Sequence, residues 1–94
     1  DWDDLGAWNA LARHLKPDAA GNRAVGDFVQ VDAARNIIFD ARTRHRTPIA
    51  VVGLSDTILV QTDDATLLAH KSQSQKIKDL VKKLSETKKY AKLV

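Results

Sequence analysis

Two helical patterns flank a central region of short apolar runs. In residues 4–16, apolar side chains recur at the helical spacing, at Leu5, Trp8, Leu11, Ala12 and Leu15. Asp3 or Asp4 can cap the first turn of such a helix, and Pro17 cannot continue it. The pattern therefore predicts an N-terminal helix that ends near residue 16.

The second helical pattern lies near the end of the chain. Apolar residues follow one another at i, i+3, i+4 and i+7, as Ile77, Leu80, Val81 and Leu84, and lysines occupy the other faces. Ser72 or Ser74 can act as the N-cap. We expect an amphipathic helix here, with a frayed tail after Ser85.

Between the helices, the apolar runs are four to five residues long and are separated by turn residues. They are residues 28–31, 36–39, 49–52, 57–61 and 66–69. Their starts lie 8 to 13 residues apart, which is typical of a meander, a small barrel or the coils of a β-helix. Periodicity does not separate these three architectures. The segment 41–47, with three arginines and a histidine, reads as an exposed loop between two strands.

Composition narrows the class of protein. The 94 residues are 44% hydrophobic and 29% charged, which predicts one small globular domain with a modest core. No run of apolar residues is long enough to span a membrane. The absence of cysteine excludes disulfides, cysteine zinc sites and thiol catalysis, and agrees with the cytoplasmic location that we expect. The absence of methionine suggests a chain that starts inside a longer product or after a removed tag.

Charge is distributed unevenly. Residues 1–70 carry seven Lys or Arg against ten Asp or Glu, whereas residues 71–94 carry eight Lys against two acids. A basic tail can attract nucleic acid or anionic lipid. A solvated helix face is the favoured interpretation, because the tail has a single aromatic residue, Tyr90, and no arginine for stacking or forked phosphate contacts.

Few residues suggest chemistry. Asp3 and Asp4 could ligate a hard cation such as Mg²⁺, although their spacing alone favours helix capping. The three histidines, His14, His45 and His70, share no local motif, so we expect structural or exposed roles for them. Asp63–Asp64 indicates a turn. The four glycines are scattered and form no phosphate-binding loop.

A family resemblance rests on five sequence blocks in order. Residues 2–11 read WDDLGAWNAL and resemble the W-x-D-[VL]-G-[ST]-W-x-x-L motif of sugar-nucleotide pyrophosphorylases, in particular the mannose-1-phosphate guanylyltransferases. Four further blocks are similar to that family's "KDxxGN…GDVLLxD", "VAVVGLxD", "TPDA" and "RSQDVK", and they are residues 18–32, 49–56, 62–65 and 74–75. The resemblance extends from Trp2 to Lys83.

The resemblance implies a reaction and a fold. Members of the family transfer GMP from GTP to mannose 1-phosphate with Mg²⁺, forming GDP-mannose and releasing pyrophosphate. Their Rossmann-like catalytic domain precedes the tryptophan motif, and a short left-handed β-helix follows it. By this resemblance, Asp4 matches the motif aspartate that helps to hold the metal. The resemblance thus shifts our interpretation of Asp4 to a metal ligand in the intact enzyme.

Departures from the family pattern limit what this chain can do alone. Ala7 stands where the family usually has Ser, and Asn9 where it often has Asp. The family's glycine-rich signature and lysine motif are absent, so nothing organised would stabilise charge on a transferred phosphoryl group. We expect no turnover, no catalytic residue and no nucleotide-binding residue in these 94 residues.

The predicted fold class is mostly β with flanking helices, built as a short left-handed β-helix-like domain. Residues 1–16 would be a helical remnant of the catalytic-domain edge, 24–71 the β-helix-like coils, and 72–94 the amphipathic helix and basic tail. The expected partners are the missing N-terminal catalytic domain and further copies of the chain, with GTP and mannose 1-phosphate bound only in the intact enzyme. We expect no membrane partner and no nucleic acid. A stand-alone interaction module, or an anionic-surface binder that uses the lysine-rich tail, remains the alternative.

Overall fold

The computed structural model describes residues 5–44 and 47–93. The helices and strands, in chain order, are α1 (Leu5–Arg13), β1 (Arg23–Val25), β2 (Phe28–Val31), β3 (Ile37–Asp40), β4 (Ile49–Val52), β5 (Thr57–Gln61), β6 (Thr66–His70) and α2 (Ile77–Ser85). Two 3₁₀ helices, Lys71–Lys76 and Ala91–Leu93, precede and follow α2. The mostly-β class with flanking helices is therefore confirmed.

The strands wind into a coil with three sides. On one side β1, β3 and β5 stack in parallel, and on the second β2 and β4 do the same. A parallel bridge between Ala34 and Ser55 joins successive turns on the third side. This arrangement confirms the β-helix-like architecture over the meander and the barrel, while the left hand of the coil stays a prediction.

The two complete turns of the coil differ in length. Arg23 pairs with Ile37, and Ile37 with Ile58, so the first turn takes 14 residues and the second takes 21. The difference arises between the first and second sides, because β1 is followed by β2 after Gly26 and Asp27 alone. The segment 41–48 fills the corresponding space in the second turn, in agreement with the predicted exposed loop.

The coil ends where β6 reverses direction. β6 pairs antiparallel with β5, and the strand order of the main sheet is therefore β1-β3-β5-β6. Within residues 5–44 and 47–93 no third strand joins the two-stranded sheet, so β4 forms an edge of that sheet.

The larger core lies outside the coil, between the four-stranded sheet and the two helices. Its buried members are Ala12, Phe39, Ile58, Val60, Leu67, Ile77 and Val81. The rings of Trp8 and Phe39 lie 4.8 Å apart at 60°, which joins α1 to the middle of the sheet. Both helices therefore pack on the four-stranded sheet through part of the apolar stripes that the sequence predicts: Ala12, Ile77 and Val81 are buried. Leu11 and Leu80 of the same predicted stripes are exposed.

Two buried asparagines join the turns of the coil inside one corner. The Asn22 carboxamide oxygen accepts from the Asn36 backbone N–H at 2.9 Å, and the Asn36 carboxamide oxygen accepts from the Thr57 N–H at 2.9 Å. The amide groups of both asparagines donate to carbonyls, those of Ala33 and Leu54. These side chains replace strand hydrogen bonds at a point where the backbone bends, so the corner stays satisfied although it is buried.

Three details differ from the sequence prediction. β1 is absent from the predicted strands because its three residues show no alternation. Neither Ser72 nor Ser74 caps α2, since His70 caps the preceding 3₁₀ helix and α2 begins at Ile77 without a side-chain cap. After Ser85 the chain is not frayed, because backbone bonds from Tyr90 to Thr87 and from Leu93 to Tyr90 hold further turns.

No helix in the described parts of the chain has the length and apolar character needed to cross a lipid bilayer.

Candidate functional site

The predicted metal ligand Asp4 and its neighbour Asp3 lie outside the described residues, so their predicted roles as metal ligand or as caps of the first helix stay predictions. The structure does place the helix that follows them, since α1 begins at Leu5. Among residues 5–44 and 47–93, no three His, Cys, Asp or Glu side chains come together in a way that could hold a metal ion.

The two described histidines have different surroundings, and His45 lies outside the described residues. His70 Nδ1 accepts from the Ser72 backbone N–H at 3.1 Å and contacts Ser72 Oγ at 2.8 Å, so this ring caps the 3₁₀ helix. His14 follows α1 and is exposed. The structural role expected for the histidines is confirmed for His70.

A polar cleft lies between α1 and the start of α2. It has a volume of about 540 Å³ and is lined by Asn9, Ser74, Gln75 and Lys78. This volume falls within the range of small-molecule sites, and the described lining residues offer two amides, a hydroxyl and an ammonium group. The cleft joins two distant parts of the sequence, because Asn9 belongs to the tryptophan motif and Ser74–Gln75 to the last of the five blocks.

The 41–48 loop is tied to the coil by an ion pair at its base. Arg42 forms a forked pair with Asp40, with Nε and Nη2 each 2.8 Å from a carboxylate oxygen. The same guanidinium donates to the Thr47 carbonyl at 2.6 Å, so it bridges both ends of the loop. Asp40 is buried, and the forked geometry compensates for its lost hydration. The charged pair also raises the pKa of Arg42 above its ordinary value.

Asp63 holds the same loop from the opposite side. Its carboxylate accepts from the backbone N–H of Thr43 at 2.9 Å and of Arg44 at 3.2 Å, and also from the Thr43 hydroxyl. The Thr43 hydroxyl bond is the largest cause that lowers the pKa of Asp63. Burial opposes it, and the two backbone bonds and the Arg44 charge lower the pKa further. Asp63 lies at the predicted turn, and the structure adds this loop contact, which the sequence did not indicate.

An ion pair joins successive turns on the third side of the coil. Arg35 and Asp56 hold equivalent positions in the two turns, both have positive φ, and Arg35 Nε lies 2.9 Å from Asp56 Oδ1. The Arg35 hydrogen bond and charge lower the pKa of Asp56. Because both side chains are well exposed, this pair contributes little to stability.

The lysines of α2 lie on its solvent face. Lys78, Lys82 and Lys83 are exposed, while Ile77 and Val81 are buried on the opposite side. This confirms the predicted amphipathic division. The exposed lysines form a basic surface, while Ile77 and Val81 of the apolar stripe are packed against the sheet and Leu80 is exposed.

An apolar surface covers the outer face of the two-stranded sheet. Its members are Val29, Val31, Ala50 and Val52, and all four are exposed. Val52 keeps 73% of its surface accessible, the largest value among the large hydrophobic residues described. We call these four residues the valine surface. Contiguous exposed apolar residues of this kind mark contact sites.

Sequence reasoning missed the side chain that caps α1 at its C-terminus. Arg23 Nη1 donates to the carbonyls of Leu15 at 2.6 Å and Ala12 at 3.3 Å. A cation at this end of a helix is favoured by the helix dipole. No local signal in the sequence points to this contact, because the arginine arrives from the next strand, β1.

Comparison with known protein families gives one family match. The model of the "MannoseP isomerase/GMP-like beta-helix domain" matches residues 26–84, which include every strand from β2 to β6 and nearly all of α2. The match therefore covers most of the coil and the helix α2 that packs on it, and it begins after α1 and β1.

Individual relatives are similar over most of this chain but are much longer. The xanthan biosynthesis protein XanB of Xanthomonas campestris is 34% identical over 83 residues, which are 88% of this chain and 17% of the relative. A putative mannose-1-phosphate guanylyltransferase of Vibrio cholerae is 36% identical over 83 residues, again 17% of the relative. The chain thus spans about a sixth of the length of these relatives.

A solved structure has the same fold. The crystal structure of a protein described as mannose-1-phosphate geranyltransferase, from Thermus thermophilus, aligns with a TM-score of 0.67 and 26% identity. The alignment covers 88% of this chain and 24% of that one. The β-helix-like coil with its two helices is therefore found within a larger protein.

Proposed function

Because the chain belongs to the family of MannoseP isomerase/GMP-like β-helix domains, we propose that it is the C-terminal domain of a mannose-1-phosphate guanylyltransferase. In this proposal the whole enzyme joins GTP and mannose 1-phosphate to form GDP-mannose and pyrophosphate. The present residues brace the catalytic domain, contribute to oligomer formation, and are inactive by themselves.

The observation that supports this proposal most strongly is the spatial meeting of two family blocks. Asn9 from the tryptophan motif and Ser74–Gln75 from the last block line the same cleft although more than sixty residues separate them. The buried contacts of α1 and α2 with the sheet hold the cleft in place. A unit of this kind can fix the position of the helix that follows the motif aspartate.

In this proposal Asp4 supplies one carboxylate to Mg²⁺ in the intact enzyme. Mg²⁺ commonly takes one or two protein carboxylates and completes its shell with phosphate and water oxygens. Asp4 would help to hold this metal, whose chemistry when bound would be to polarise the phosphates of GTP. Further protein ligands would come from the catalytic domain.

The first experiment tests inactivity of the isolated chain. Calorimetric titration with GTP, Mg²⁺ and mannose 1-phosphate, singly and together, should give no saturable heat, and no GDP-mannose should form. Turnover by the isolated 94 residues would refute the proposal.

The second experiment tests Asp4 in the full-length enzyme that we propose. The Asp4→Asn enzyme should lose most of its activity and need more Mg²⁺ for half-maximal rate, because one charged ligand is removed. The Asp3→Asn enzyme is the matched control and should behave like the wild type. Equal losses in both variants would indicate helix capping or folding and would remove the metal role from Asp4.

A second candidate function uses the basic surface. The exposed lysines of α2 and the tail could bind nucleic acid or an anionic surface, because their charge is not neutralised by neighbouring acids apart from Asp79 and Glu86. Binding to DNA or to anionic vesicles that weakens steeply with salt, and that is lost when residues 85–94 are deleted, would support it. A stand-alone interaction module is the remaining alternative, and a reading frame without an upstream nucleotidyltransferase signature would favour it.

A further inference from the structure

The edge of β4 carries backbone groups that the coil itself does not use. Ile49 N–H donates to the Asp27 carbonyl and Gly53 N–H to the Val31 carbonyl, so the odd-numbered residues of this strand face β2. In a parallel ladder the residues in between direct both their N–H and their C=O to the opposite side. Ala50 and Val52 therefore present two donors and two acceptors along an open edge.

This open edge lacks several of the features that usually prevent strand addition. Edge strands are commonly protected by short length, proline, lysines, bulges or a covering segment. β4 is short and follows Pro48, but it has no charge and no bulge. Residues 47–55 read TPIAVVGLS and contain no charge, and β4 pairs with β2 at every position without a bulge. The coil would continue over this edge with a third strand, but the chain turns at residues 62–65 and returns as β6 beside β5.

We propose that β4 pairs with β4 of a second copy of this chain, antiparallel, about a two-fold axis at Val51. This inference names the contact for the oligomer formation in the proposed function and rests on it to that extent. In this register Ala50 lies opposite Val52 of the other copy, and Val52 opposite Ala50. Each of these two pairs exchanges two hydrogen bonds, so all four open groups on each copy are used.

The register about Val51 is preferred because the alternatives leave backbone groups unpaired. With the axis at Ala50, Ala50 would pair with Ala50 of the other copy, and Val52 would lie opposite a residue beyond the end of the other β4. The same holds for Ala50 when the axis is at Val52. The pairing about Val51 also makes one continuous sheet in the order β2-β4-β4-β2. The valine surfaces of the two copies then form a single apolar face on that sheet.

The distribution of charge allows a second copy of this chain to approach this edge. Two copies meet through uncharged segments, whereas the basic surface of α2 and the tail lies on the other side of the four-stranded sheet, against which α2 packs. One strand pair is a small contact, well below the roughly 1,200 Å² of a stable interface, so association should require high concentration.

Sedimentation velocity of the complete chain over a range of concentrations tests the proposal. The average mass should rise from that of one chain towards twice that value. Hydrogen exchange measured by NMR should show protection of the Ala50 and Val52 amides that increases with concentration. Amides of Ile49 and Val51, which bond within the coil, should be protected at every concentration.

Ala50→Pro removes an open-edge donor from each copy without removing a bond of the coil, because this N–H faces away from β2. The dissociation constant of the Ala50→Pro dimer should be about 30-fold larger than that of the wild-type dimer, as expected for two lost hydrogen bonds. Val52→Lys, which places a charge on the edge strand, should also prevent pairing. Val29→Lys is the matched control on the same surface but one strand further from the axis, and it should pair like the wild type.

Three results would overturn the inference. They are a chain that stays monomeric at high concentration, growth beyond the dimer as in end-to-end stacking of coils, and a dimer in which the Ala50 and Val52 amides exchange as fast as in the monomer. None of these depends on catalysis, so the inference can fail while the Asp4 results support the proposed function. The exchange measurement on the wild-type chain decides the matter even if Ala50→Pro does not fold.

Discussion

The buried asparagine Asn36 offers the most direct test of how the coil is held together. Its side chain is 1% exposed and joins two turns, since its carboxamide accepts from the Thr57 N–H and donates to the Leu54 carbonyl. Asn36→Ala removes both contacts while it leaves the backbone bond from Asn36 to Asn22 in place. The change therefore isolates the role of one side-chain amide in holding Asn36 against the start of β5, one turn further along the coil.

The expected loss of stability follows from the two contacts. The Thr57 N–H loses its partner in a buried corner, which costs about 1–3 kcal/mol. The Leu54 carbonyl keeps a bond from the Ala34 N–H, so its loss is smaller, about 0.5–1 kcal/mol. The total of about 1.5–4 kcal/mol is large for a domain of this size, whose full stability is roughly 5–14 kcal/mol by the usual value per residue.

Urea unfolding followed by far-UV circular dichroism measures this difference. Asn9→Ala is the matched control, because Asn9 is an exposed asparagine and its replacement should change the free energy of unfolding by less than about 0.5 kcal/mol. Asn36→Asp keeps an acceptor for Thr57 but buries a charge, so it should be less stable at neutral than at acidic pH. If Asn36→Ala were as stable as the Asn9→Ala protein, the amide contacts would not hold the turns together.

Three further changes test other parts of the structure, each by the free energy of unfolding. Gly26→Ala should lower the free energy of unfolding by about 1–3 kcal/mol, because φ is +104° and the added Cβ would lie 2.7 Å from Cβ of Asp40. Gly53→Ala is the matched control, with φ +71° and open space around it, and should lower the free energy by about 1 kcal/mol. Ile77→Ala should lower the free energy of unfolding by about 2–5 kcal/mol, because this core side chain is 3% exposed. Leu80→Ala in the same helix should lower it clearly less, because Leu80 is exposed. Asp63→Asn should reduce the loss of stability in acid. The pKa of Asp63 is lower in the folded than in the unfolded chain, so its charged form stabilises the fold fully above the unfolded pKa of about 3.9. This contribution disappears as pH falls through the folded pKa, and the Asn variant has none to lose. An unchanged acid profile in that variant would show that the loop contacts of this carboxylate do not stabilise the fold.

The strands with apolar character on successive residues were predictable from the sequence, and three of them have the predicted limits. β2, β4 and β5 coincide with predicted runs because β-branched residues and turn residues mark both ends. Their pairing was not predictable from the same pattern. Parallel stacking between turns depends on contacts 14 and 21 residues apart, and the sequence has no exact repeat to reveal them.

The candidate site was predictable only in its separate parts. The family resemblance identified the tryptophan motif and the Ser74–Gln75 block, but the cleft that joins them depends on how both helices pack on the sheet. The contacts of Asp63 and Arg23 are likewise tertiary, since each side chain bonds to backbone that is close in space and distant in sequence. The two buried corner asparagines gave a weak signal in the sequence, because Asn22 and Asn36 each stand directly before a strand.

The unequal lengths of the two turns have a practical consequence for protein engineering. The 41–48 loop adds its residues without disturbing the register of the strands on either side, because Arg42 and Asp63 fasten both of its flanks to the coil. Loop-closure entropy grows slowly with length, so a longer peptide at this position should be inexpensive to accommodate. The same corner could therefore display a grafted epitope or a protease cleavage site on a scaffold that is otherwise unchanged.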